Sequence, residues 1–354
     1  MTSAIAQRAR QTADSDTLTP PVPAHVPLAV QTRDGLVEAV HYGSAVATAP
    51  GGDILWSAGD AQTPFYPRSA LKPLQAVALV RAGLALADDL LALAAASHSG
   101  GPTHRDGARR ILAMHGLDES ALANTRDLPY GAAEREEWLR GGGTADHVCQ
   151  NCSGKHAAMA AVCVVNDWPV AGYLDPSHPL QERVAATIEE LTGEIPALWS
   201  TDGCGTPLPA LTLAGMARAY GRLAAASSAP AHDDAAPSRA EAAVARAMRS
   251  HPEMVAGEGR DVTDLMRLVP GLVAKDGFEA VQLVGLADGR GLAVKVSDGG
   301  DRARMPITVR ALAALGVPEA LDGTLDPLAS QSVLGGGKRV GTLSAVDGVL
   351  PAAR

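Results

Sequence analysis

Aromatic side chains are scarce in this sequence: two Phe, four Trp and five Tyr make up 3% of 354 residues. The interior must therefore be filled by aliphatic side chains, alanine prominent among them, a composition that favours helices. Cysteine is rarer still. Four thiols, Cys149, Cys152, Cys163 and Cys204, are too few for a disulfide scaffold in a chain of this size, so burial or metal binding is the better use for them. Apolar runs such as the seven residues Leu90–Ala96 fall far short of the roughly 20 that cross a bilayer, which predicts no membrane span. Residues 1–24 carry neither the apolar stretch nor the small-residue cleavage site of a secretory signal. They read as a disordered or edge leader without chemistry, and the protein as cytoplasmic. Excess positive charge is also absent: 30 Lys plus Arg stand against 39 Asp plus Glu, and a net charge of −9 argues against a nucleic-acid partner.

What the sequence does have is turn-forming residues and order. Glycine at 37 and proline at 24 imply many turns without reaching the level of a disordered chain. From Pro27, β-favouring pieces (LAVQT, LVEAVHYGSAVATA, ILWSAG) alternate with turn dipeptides, as in an antiparallel meander. Helical periodicity follows at Ser69–Leu79, Asp88–Ala96 and Thr103–His115, and helices dominate as far as Tyr220. Ser227–Arg239 reads as a solvent-exposed insertion, with a helix resuming at Ala240. FEAVQLVGL and GLAVKVS then flank Ala287–Arg290 like a strand pair, and Ile307–Leu315 reads as a last helix. The predicted class is α/β in the α+β sense. Sheet regions 25–68 and 271–320 form one catalytic unit with a helical lobe at 69–270, and residues 321–354 pack on the sheet as an extension.

Several local patterns carry chemistry. Ser69-Ala70-Leu71-Lys72 follows Tyr66-Pro67-Arg68, and residues three apart share a helix face, so the amine can reach the hydroxyl. A serine is a weak nucleophile until a neighbour takes its proton, and a lysine does so only in its neutral form. Taken alone, the four letters fit an N-cap serine followed by a surface lysine better than a catalytic pair. Asn151-Cys152-Ser153-Gly154-Lys155-His156 opens a small-residue helix; it lacks the spacing of a phosphate loop, since histidine follows the lysine. Cys149 and Cys152 have the spacing that begins a thiolate metal site, yet no second such pair follows, and Cys204 is the only distant thiol in a glycine-bounded turn. Ser97-His98-Ser99-Gly100 and Lys275 read as turns by composition.

In that order, YPRSALKPLQ, LAAASHSGG, NCSGKHAAM, DGCGTPLPA and VAKDGFEAVQLVGL resemble the L-asparaginase family first described from rhizobia, thermolabile and type II-like, over residues 25–320. The resemblance implies a fold like that of serine β-lactamases and serine-dependent glutaminases, a homodimer, and hydrolysis of L-asparagine to aspartate and ammonia. It implies one Ser-Lys pair at Ser69 and Lys72, a second at Ser97 and Lys275, and Zn2+ on Cys152, Lys155 and Cys204. Arg68, His98, His156 and Asp202 become substrate or supporting residues, and His147 a further candidate. Two alternatives stay open: a glutaminase or other serine amidohydrolase on the same scaffold, and a non-enzymatic zinc-stabilised module. Ser-Asp-Asn and Lys-Thr-Gly, the further signatures of β-lactam enzymes, do not occur.

Overall fold

A computed structural model describes residues 22–227 and 236–352. The first 21 residues of the expected leader and residues 228–235 of the expected insertion lie outside the described residues. Along the chain, β1 (Val26–Arg33), β2 (Leu36–Thr48) and β3 (Ile54–Ala58) are followed by a 3₁₀ turn at Arg68–Leu71. Helices α1 (Lys72–Arg81), α2 (Asp88–Ala94), α3 (Pro102–Met114), α4 (Ala132–Arg140), α5 (Ser153–Val165) and α6 (Pro179–Thr192) come next. The hairpin β4 (Leu198–Thr201) and β5 (Pro207–Ala210) precedes α7 (Leu213–Ala226) and α8 (Ala236–Ser250). The chain continues through β6 (Val273–Gly277), β7 (Val281–Gly285), β8 (Gly291–Val296), α9 (Arg304–Ala314), β9 (Ser330–Gly335) and β10 (Lys338–Ala345). No helix among the described residues is long and apolar enough to cross a membrane.

Two compact units result, and each is built differently. One comprises Thr19–Ala70, Leu211–Ala225 and Asp264–Arg354 and holds a mixed α/β arrangement around one antiparallel sheet in the order β6-β7-β8-β2-β1-β10-β9, with β3 also on β2. N-terminal and C-terminal strands thus share a sheet. Its first hairpin turns at Asp34-Gly35, where φ values of 46° and 85° are the left-handed pair that matches the twist of the flanking strands. Helix α7 lies directly on the sheet backbone: a Cβ at Gly285 would fall 1.9 Å from the Tyr220 carbonyl oxygen, so no larger residue fits there.

Among the described residues, the other unit, within Leu71–Ala210 and Ala226–Thr263, is helical apart from the β4–β5 hairpin. Its core is alanine- and leucine-rich, as the shortage of aromatics requires. Helix α5 is buried along its first eleven residues, Ser153–Cys163. Gly154 lets α5 approach the end of α2, since a Cβ there would meet Leu93 Cγ at 2.4 Å and the Leu93 carbonyl oxygen at 2.6 Å.

Three local expectations change. The β4–β5 hairpin interrupts a stretch that reads as predominantly helical; its Pro207 and Pro209 are residues that ordinarily argue against a strand. Lys275 lies in strand β6 and not in a turn. Helix α8 begins at Ala236, four residues before the expected Ala240.

Candidate active site

In the helical unit, α2 ends at Ala94 and the chain runs on as a buried extended segment, Ala96–Ser99. Backbone bonds fix it on both sides: Ser97 N–H to the Val255 carbonyl at 2.9 Å, His98 N–H to Asn151 at 3.1 Å, and Ser99 N–H to Ala256 at 2.7 Å. Lys72, the first residue of α1, is 1% exposed and extends to this segment. Its Nζ stands 2.7 Å from the Ala96 carbonyl oxygen, 2.7 Å from Ser97 Oγ and 3.5 Å from the Asn151 carbonyl oxygen. Two carbonyls can accept only N–H groups. The remaining tetrahedral direction of the nitrogen faces the Ser97 hydroxyl, which is the geometry for passing a proton between serine and lysine.

The histidines beside this pair are structural in their bonding. His98 pairs its Nε2 with Ser153 Oγ at 2.9 Å and stacks on His104 with ring centroids 4.9 Å apart. His104 accepts the Gly101 N–H at Nδ1, 3.2 Å, and donates from Nε2 to the Glu253 carbonyl, 2.9 Å, so it is a neutral ring with a defined tautomer. Burial lowers its pKa, consistent with that state. His147 bonds the Asn124 carbonyl through Nδ1.

Cys152, Lys155, His156 and Cys204 come together in the same unit. Lys155 Nζ donates to Cys204 Sγ at 3.1 Å and to Thr206 Oγ1 at 3.0 Å, and Thr206 Oγ1 is itself 3.3 Å from the sulfur. The neighbouring Cys152 sulfur, together with the Lys155 charge, holds the Cys204 thiol well below its ordinary pKa in spite of burial. The partners shift the other way: Cys152 is pushed well up by the adjacent Cys204 sulfur and by burial. Lys155 is raised, its desolvation outweighed by attraction to Cys204 and Cys152. The cluster is a buried sulfur, Cys204 Sγ, bonded by the Lys155 nitrogen and flanked by the Thr206 hydroxyl. His156 joins its edge; burial and then the Lys155 charge lower its pKa to about 4, and its Nδ1 pairs with the Tyr173 hydroxyl at 2.8 Å.

This arrangement overturns the expected Zn2+ site. Among the described residues, no group of three or more His, Cys, Asp or Glu is placed to hold a metal ion. Lys155, the third member of the expected set, is a proton donor here, and an ammonium has no lone pair for a metal. Asp202 does not complete the set either: its Oδ2 is 4.0 Å from Cys204 Sγ, and its Oδ1 accepts the Gly203 N–H at 2.8 Å within its own turn.

Ser69, Arg68 and Lys275 belong to the sheet unit. Ser69 lies in the 3₁₀ turn immediately before α1, half-buried. Arg68 places its guanidinium 5.4 Å from the centroid of the Phe278 ring. Lys275 is fully buried and forms an ion pair with its neighbour, Nζ to Asp276 Oδ1 at 2.5 Å, besides a bond to the Asp276 carbonyl at 2.8 Å. Asp276 was not among the expected residues, nor were Asn151, Thr206 and Tyr173. Asp276 and Asn151 adjoin or lie inside the quoted motifs, but a carbonyl that accepts from a lysine 79 residues away leaves no mark on sequence.

A buried lysine nitrogen on a buried serine hydroxyl is an arrangement that can activate a serine for acyl transfer. The model of the L-asparaginase II family matches residues 29–345, and the chain belongs to that family. No curated protein matches the chain. Solved structures similar to it include Mglu in its native form, at 18% identity over 77% of this chain and 63% of that one, TM-score 0.35. Mglu in its glutamate form is similar at 20% identity over 72% and 56%, TM-score 0.32. The chain spans less than two-thirds of the length of those solved chains.

Proposed function

We propose that the protein hydrolyses the side-chain amide of L-asparagine to L-aspartate and ammonia through an acyl-enzyme. The observation that carries this reading is the 2.7 Å contact between Lys72 Nζ and Ser97 Oγ, with both residues buried. Family membership over residues 29–345 supports the amide as the bond broken. In the first step a serine oxygen bonds to the amide carbon, the C–N bond breaks, and the serine proton leaves with the nitrogen as ammonia. Water then bonds to the same carbon, the bond from that carbon to the serine oxygen breaks, and a proton of the water goes to the serine oxygen. The Lys72–Ser97 pair holds and moves that proton. On the motif YPRSALKPLQ, Ser69 is the serine acylated, and on VAKDGFEAVQLVGL, Lys275 is the second amine of the reaction. The family resemblance also supports a homodimer, which sedimentation velocity tests.

One assay tests the reading: ammonia release from L-asparagine, with L-glutamine and a β-lactam as comparison substrates. It is run on the wild type and on Ser69→Ala, Ser97→Ala, Lys72→Met and Lys275→Ala. Glutamine differs by one methylene, worth only about 1–3 kcal/mol of discrimination in a pocket, so the ratio of the two rates has to be measured. Release that prefers asparagine and is lost in the variants is the expected result. Unchanged release in both Ser97→Ala and Lys72→Met removes the dyad from the mechanism.

A further inference from the structure

The turn that carries Ser69 is gripped from two sides by parts of the sheet unit. Pro67–Ala70 closes on itself through the Ala70 N–H to the Pro67 carbonyl, 3.1 Å. Inside it Arg68 has φ 52°, a left-handed conformation that a side-chain-bearing residue keeps only where its surroundings impose it. At one end the backbone of β6 is pressed against the turn: a Cβ at Gly277 would lie 2.5 Å from the Pro67 carbonyl oxygen and 3.2 Å from Ala70 Cβ. At the other end the Tyr220 hydroxyl donates to the Ala70 carbonyl at 2.6 Å.

Tyr220 is itself immobilised. It is fully buried, and its backbone rests on β7, where the Tyr220 carbonyl oxygen occupies the space a Cβ at Gly285 would need. Burial raises its pKa well above the ordinary phenol value, so the hydroxyl remains a donor across the working pH range. Lys275, on the same strand as Gly277 and two residues away, shares its face by strand alternation. The contact at Gly277 therefore sets the Ser69 turn on the Lys275 side of β6.

We propose that Tyr220 is a positioning residue for Ser69: its hydroxyl, bonded to the Ala70 carbonyl, fixes the turn so that the serine oxygen keeps one direction. This rests on the reading of Ser69 as the acylated residue. A misplacement of a reacting atom by about 1 Å can cost on the order of 100-fold in rate, so a single bond of this kind has a measurable effect.

The test is Tyr220→Phe in the full chain, which removes one oxygen and keeps the packing. Three quantities are read: kcat and KM for ammonia release from L-asparagine, the rate at which a fluorophosphonate probe labels Ser69 by peptide mass spectrometry, and the thermal midpoint. The expected result is a fall of roughly 10- to 100-fold in kcat and in Ser69 labelling, with KM within about threefold of wild type and the midpoint retained. Tyr220→Phe combined with Ser69→Ala should be no slower than Ser69→Ala alone. Wild-type kcat and labelling in a folded Tyr220→Phe overturn the proposal. Should that variant not fold, Gly277→Ala, which pushes the Pro67 end of the same turn, takes its place, and unchanged labelling there is equally fatal. Undiminished ammonia release by Ser69→Ala, with the probe found on another serine, instead defeats the reading of Ser69 itself.

Discussion

Lys72 Nζ lies at the same 2.7 Å from two oxygens of adjoining residues, the Ala96 carbonyl and the Ser97 hydroxyl. A single nitrogen therefore registers both the backbone and the side chain of the segment that follows α2. The carbonyl contact aims the amine and the hydroxyl contact is the one with a proton to exchange.

That division predicts how substitutions at residue 72 behave. Lys72→Arg keeps a cation but replaces a compact amine by a guanidinium that does not give up its proton, so it should be as inactive as Lys72→Met. Both should lose on the order of 1000-fold or more in kcat for ammonia release, with an unfolding transition still present by calorimetry. An active Lys72→Arg would show that the residue supplies charge and not proton transfer.

The Cys204 thiolate and Lys155 ammonium, 3.1 Å apart and both buried, should behave as one unit. Removing one partner of a buried pair leaves the other charge uncompensated, typically a loss of about 3–5 kcal/mol. Cys204→Ala and Lys155→Met should each destabilise by that order in urea unfolding. The double variant should recover much of it, because no charge remains stranded. Simple additivity of the two losses would mean that the pair is not charged.

His156 gives the fold an acid limit. Its folded pKa is about 4 against an ordinary 6.5, lowered by burial first, so below pH 6.5 the unfolded chain binds a proton that the folded protein refuses. Stability is fully present above 6.5, declines as pH falls, and has lost about 3 kcal/mol from this residue by pH 4. His104, also lowered by burial, adds in the same direction. Urea midpoints measured from pH 7 to 4 should fall, and His156→Gln should flatten part of that slope.

Gly154 is a point of close approach between α5 and α2, and its substitution should be felt at the dyad. In Gly154→Ala the new methyl meets Leu93, so the helices must separate, at a cost of about 1–3 kcal/mol. Since Leu93 accepts the Ala96 N–H at 3.1 Å, the displacement reaches the residue before Ser97. Ammonia release should fall with stability; a variant with normal kcat and a lowered midpoint would show that the segment is insulated from α5.

Local signals in the sequence were sufficient for local structure. Asp34-Gly35 marked the β1–β2 turn, and the 3.6 period located α2 and α3 within two residues of their ends. Strand β6 escaped because its short run, VAKDG, holds a lysine and an aspartate that pair with each other, and buried charge mimics a turn. The β4–β5 hairpin escaped behind its prolines. At the candidate site, Ser-x-x-Lys spacing drew attention to Ser69 and Lys72, yet the hydroxyl that Lys72 Nζ contacts is Ser97, 25 residues on. Such a pairing is set by how α1 and α2 pack, which spacing does not encode. Cys152, Lys155 and Cys204 were expected to hold Zn2+; Lys155 instead donates to Cys204, and no metal-holding group occurs among the described residues. What composition could not reveal was the protonation of the amine, which depends on the sulfur it faces.

Asn151 has a consequence beyond its own bonds. Its carbonyl oxygen takes the His98 N–H and the longer bond from Lys72, while its side-chain oxygen accepts the Cys152 thiol at 3.1 Å. The dyad and the sulfur cluster are therefore tethered by a single amide-bearing residue. A reagent that alkylates Cys152 would tug on Asn151, whose carbonyl oxygen steadies the Lys72 amine, so damage at that thiol would register as lost turnover.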